Sequence, residues 1–123
     1  MPEETERARP AYLKAVDLVN EALRVNPHDE DAIYHASLYQ AMLGNREGAL
    51  ALLHKIPPGS TRDPSLLALA AKIHYRLGMQ DLALTELQKS VSAGYSRVWV
   101  RDDPAFAGLV SNVQFQRIVG VAE

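Results

Sequence analysis

Four histidines, His28, His35, His54 and His74, are the first residues to weigh for metal or acid–base chemistry. Two imidazoles on one helix share a metal ion only when they stand three or four residues apart, and no pair here has that spacing. The chain contains no cysteine, so it can form no disulfide, thiolate metal site or cysteine nucleophile. No G-x-S-x-G elbow or phosphate-cradling glycine loop occurs; Gly59-Ser60 and Gly94-Tyr95-Ser96 read as loops. Asp102-Asp103 invites a paired-carboxylate reading, but Asp103 precedes Pro104 and reads as a helix cap, which leaves Asp102 solvated. The residues therefore predict no catalytic, cofactor or metal site, and the chain is expected not to be an enzyme.

Binding chemistry is the remaining class. A formal charge of −2 over 123 residues lacks the basic footprint that nucleic acid or an anionic membrane selects, and only Arg97 and Arg101 stand close together. The longest apolar run, Leu66 to Ala71, is far too short for a membrane span. Met1-Pro2-Glu3-Glu4-Thr5-Glu6-Arg7 lacks the basic-then-apolar order of a secretory signal, and with no cysteine this predicts a cytoplasmic protein. Trp99 is a candidate interface anchor, but flanking by Val98 and Val100 predicts a core role.

The elements that must position these residues come in copies. Shifting the chain by 34 residues sets positions 27–60 against 61–94 with eight identities, where average composition gives roughly two. They are Asp29/Asp63, Ala36/Ala70, Leu43/Leu77, Gly44/Gly78, Ala49/Ala83, Leu50/Leu84, Leu53/Leu87 and Lys55/Lys89. Each copy reads as two helices. In the first, Asp29 caps a helix over Asp31–Leu43, Gly44-Asn45 turns the chain, and a helix over Arg46–Lys55 stops at Pro57-Pro58. In the second, Asp63 caps, Pro64 opens a helix to Leu77, Gly78 turns, and a helix runs over Gln80–Ala93. The small residues Ala36, Ser37, Ala70, Ala71, Ala49 and Ala83 allow close helix approach, and Leu53 and Leu87 fill between layers.

This pattern resembles the tetratricopeptide-repeat family: Ile33-x2-Ala36-Ser37-x2-Gln40 with Ala49…Leu53, then Leu67-x2-Ala70-Ala71-x2-His74 with Ala83…Leu87. Ala15, Val19, Ala22 and Pro27 are similar to the second helix and closing proline of a further copy. Gln40 and His74 depart from the family's aromatic, which makes His74 a partly buried packing residue, and Thr61 replaces its proline. The tail, with Trp99, Asp103-Pro104-x-Phe106-x2-Leu109 and Phe115-x2-Ile118, resembles an ending found after bacterial arrays in multidomain signalling proteins. The resemblance implies an all-α, right-handed superhelical stack of helix–turn–helix hairpins. It divides the chain into an N-terminal arm (1–9), the second half of a motif (10–27), two motifs (28–60 and 61–94) and two C-terminal capping helices within 95–123. The cap is expected to cover the apolar end of the array.

The resemblance also implies a function: an adaptor or regulatory scaffold that binds a peptide or helix in the groove lined by the first helix of each copy. Helical register places Tyr34, Leu38 and Met42 on that face in one copy and Lys72, Tyr75 and Arg76 in the next, although a merely solvated face has the same register. A chaperone-tail clamp is not expected, because Asp31, Tyr34 and Leu38 stand where a basic carboxylate grip belongs. A second surface follows from the missing first helix. Leu13, Val16 and Leu23 would be left apolar and wet, which predicts a homodimer, unless residues 1–9 or an upstream domain cover them.

Overall fold

Two aspartates and two glycines, each pair 34 residues apart, set the central helix boundaries. Asp29 accepts the backbone N–H of Ala32 at 3.1 Å, and Asp63 accepts those of Ser65 and Leu66 at 2.8 and 3.4 Å. Gly44 and Gly78 end the helices at φ +84° and +83°, a left-handed conformation that glycine adopts without a Cβ clash. The following N–H groups then reach back five residues, Asn45 to Gln40 and Met79 to His74, both at 2.8 Å. The local chemistry is the same in both copies.

The computed structural model describes residues 3–120, with side chains from residue 8 onward. All regular structure among them is helical: α1 (Glu3–Val25), α2 (Glu30–Met42), α3 (Arg46–Leu53), α4 (Pro64–Arg76), α5 (Gln80–Ser92), α6 (Arg97–Asp102), a 3-10 helix (Pro104–Leu109) and α7 (Val113–Val119). The bounds of α4 equal those of α2 plus 34, and α5 begins 34 residues after α3. A 34-residue helical repeat is therefore present in the backbone as well as in the sequence.

Four boundaries of α2, α4 and α5 differ from expectation by one residue, and three differences are larger. The arm expected over residues 1–9 is helical from Glu3, so α1 runs through Pro10; residues 1 and 2 lie outside the described part. Pro10 removes only one rung of the ladder, and the helix continues on both sides. The second helix of the first copy stops at Leu53 rather than Lys55, with the N–H groups of Lys55 and Ile56 closing a final turn on Leu52 and Leu53. The C-terminal segment holds three short helices instead of two, because Ser96 caps α6 ahead of the Asp103-Pro104 start.

The chain divides into two compact units, residues 1–60 and 61–123. In the first, α2 packs against α1 and α3. Ala36 and Ala49 are buried, and the Ser37 hydroxyl donates to the Ala49 carbonyl at 2.9 Å, which ties α2 to α3. Tyr12 of α1 stacks on Tyr39 of α2, centroids 6.3 Å apart. In the second unit, Ala71, Ala83, Leu84 and Leu87 of the α4–α5 hairpin share one core with Val100, Phe106, Leu109, Phe115 and Ile118 of the tail. Burying each of the larger side chains contributes about 1.5–3 kcal/mol. The tail therefore covers the α4–α5 hairpin with apolar side chains. Ser90 of α5 fastens the hairpin by donating to the Pro64 carbonyl at 2.7 Å.

Candidate interaction surfaces

Half of the side chains expected to line a peptide groove are buried or engaged within their own unit. Tyr34 is buried at 6% exposure, so it packs rather than presenting an open anchor. Leu38 and Met42 are half-buried. Lys72 spends its charge inside the second unit, 3.0 Å from the Asp103 carboxylate, and Asp103 at the same time caps the 3-10 helix through the Ala105 N–H. Tyr75 lies half-buried with its ring 6.2 Å from Phe106, and a Cβ added at Gly108 would collide with its hydroxyl. Of the basic pair, Arg76 is the one left exposed. A groove needs open side chains: Lys72 and Tyr75 depart from that because Asp103 and Phe106, distant in sequence, claim them, and Tyr34 departs from it because it is buried.

The α1 expectation is redistributed in the same way. Tyr12, Val16, Val19 and Leu23 recur at spacings of four, three and four, and form the half-buried side of the helix that Tyr12 turns toward α2. Val16 and Leu23 are thus packing residues rather than open ones, and Leu13 remains 49% exposed. The most exposed large apolar residues of α1, among those whose side chains are described, are Leu18 at 66% and Val25 at 81%.

Trp99 is a clear correction. It was expected in the core, but it is 66% exposed, and its neighbour Val100 is buried instead. Consecutive helical residues point about 100° apart, so only one of Val98, Trp99 and Val100 can face the interior squarely. Tyr95 meets the indole edge-on at 5.6 Å and supports it from one side. Val98, at 50%, adds apolar surface beside it.

Several titratable groups are paired within the fold. His74 Nδ1 lies 2.6 Å from Glu86 across the α4–α5 hairpin, with both side chains largely buried. Sequence reasoning placed His74 as a packing residue but missed Glu86, whose position one turn beyond Ala83 on the facing helix was the available signal. His35 is held by the Asp31 carbonyl at 2.9 Å. Arg101 donates to Asp102, and this hydrogen bond holds the exposed Asp102 carboxyl below its ordinary range while raising Arg101. Among the described residues no group of three potential ligands could hold a metal ion, and no helix is long and apolar enough to cross a membrane. The first unit has a shallow depression of about 310 Å³ lined by His28, Glu30, Ile33, Lys55, Ile56, Pro57 and Ser60.

No family model matches the chain, and no curated protein or solved structure matches it either.

Proposed function

We propose that the chain is a protein-interaction module of the tetratricopeptide type that binds a short apolar peptide or helix of another protein. The family reading is supported by the 34-residue offset of helix bounds, caps and turn glycines. The contact shifts away from the expected groove residues, since Tyr34, Lys72 and Tyr75 are already engaged, to the exposed aromatic surface of the C-terminal segment.

The observation that carries this is Trp99. Large aromatic side chains are costly to leave in water and dominate binding energies where a partner covers them. Here an indole stands two-thirds exposed beside Tyr95 and Val98, while the core beneath is filled by Val100, Phe106 and Phe115. Arg97, exposed two residues earlier, favours an acidic residue in the partner segment.

Peptide-library selection on the purified chain, followed by affinity measurement on variants, tests the reading. Trp99→Ala should weaken the selected peptides about thirtyfold or more, as loss of a hot-spot aromatic does. Leu82→Ala, which removes an exposed leucine of α5, should leave affinity unchanged. Peptides that bind equally well to Trp99→Ala would refute the assignment.

A further inference from the structure

Beside its Tyr12–Leu23 packing side, about 100° further round the helix, α1 carries a second regular stripe, in which Ala15 and Ala22 are half-buried and Ala11, Leu18 and Val25 are exposed. Ala11, Ala15, Leu18, Ala22 and Val25 follow one another at spacings of four, three, four and three, the period of a two-helix seam. The stripe includes the two most exposed large apolar side chains described in the helix, Leu18 and Val25. It runs small, small, large, small, large, so a parallel pair would set Leu18 against Leu18 and Val25 against Val25, which hold the helices apart at the three alanine layers.

We infer that this stripe pairs with the same stripe of a second copy, antiparallel, about a two-fold axis that passes between the two helices, level with the point between residues 16 and 17. That operation sets Leu18 against Ala15 of the second copy, and Val25 against Ala8. Ala11 meets Ala22, so every large side chain falls opposite an alanine and the helices can approach closely.

Charge selects the same arrangement. Lys14 and Glu21, seven residues apart, flank one edge of the stripe, and both are exposed. The two-fold axis brings Lys14 of each copy beside Glu21 of the other, offset by two residues or about 3 Å along the helix. Two complementary pairs form by symmetry, as expected of an isologous contact. Sliding the helices by one heptad would set Glu21 against Glu21 or Lys14 against Lys14, and a parallel pair would face both residues with Tyr12, Val19 or Asn26. Only the antiparallel register centred between residues 16 and 17 satisfies shape and charge together. In the single chain Glu21 pairs with Arg24 on its own helix; both are exposed, and the pair can be shared across the contact.

Sedimentation across a concentration series, with circular dichroism confirming the fold of each variant, tests this pairing. Wild type should self-associate as a dimer. Lys14→Glu and Glu21→Lys should each weaken the dimer at least tenfold, equimolar mixing of these two should form a heterodimer, and the double exchange in one chain should restore self-association. Leu18→Glu should give monomers at every concentration. A wild type that stays monomeric into the high micromolar range would overturn the proposal, as would a dimer indifferent to both charge reversals. The outcome is independent of Trp99, which lies on the other unit.

Discussion

Single atoms fasten each helical hairpin. The Ser37 and Ser90 hydroxyls are buried, and each donates to a carbonyl on the neighbouring helix, at 2.9 and 2.7 Å. Ser37→Ala should cost about 1 kcal/mol in a chemical denaturation series, the net worth of such a bond. The His74–Glu86 pair is more demanding, because removing one partner strands the other in a largely desolvated site. His74→Ala should therefore destabilise by about 1–3 kcal/mol, whereas His74→Phe combined with Glu86→Leu should be at least as stable as wild type. Equal losses for both variants would show that the pair contributes more than its replacement by apolar packing. Residues of this kind were only half legible in the sequence. Register alone marks His74 as inward, but it cannot name Glu86. Lys72 likewise finds Asp103 only after the chain has folded back, and no local pattern encodes that meeting. Trp99 was misplaced for a related reason: three apolar residues in a row leave the choice of the buried one to tertiary packing.

The elements were legible because their signals are local. Asp29 and Asp63 offer a carboxylate to the first free N–H groups, and Gly44 and Gly78 supply the left-handed turn, each within a few residues of the boundary it sets. Gly78→Ala should destabilise the second unit by about 1 kcal/mol, since its φ of +83° strains any Cβ although open space surrounds the position. A melting temperature equal to wild type would remove that argument. The start of α1 was not legible. Proline at position 10 argues against a continuous helix, yet the chain remains helical from Glu3. Pro10→Ala should accordingly raise both thermal stability and the far-ultraviolet helical signal, because it returns a backbone hydrogen bond and relieves the ring's clash with the preceding turn. Unchanged helicity would show that α1 already meets no proline penalty.

At the scale of the whole molecule, the two units present different surfaces. The first exposes the Leu18–Val25 stripe of α1, and the second exposes Trp99 with Val98. The proposed assembly of copies and the proposed capture of a partner therefore call on separate residues, so each can be tested without touching the other. The central claim concerns capture, and Trp99 is the chain's single tryptophan, so its emission reports that surface alone. The decisive measurement is a fluorescence titration of the native chain with a library-selected peptide lacking tryptophan, with a soluble quencher present in parallel. The account predicts a water-exposed, readily quenched emission in the free protein that shifts to the blue and becomes protected as the peptide saturates. Saturating binding with the Trp99 emission and its quenching unchanged would contradict it.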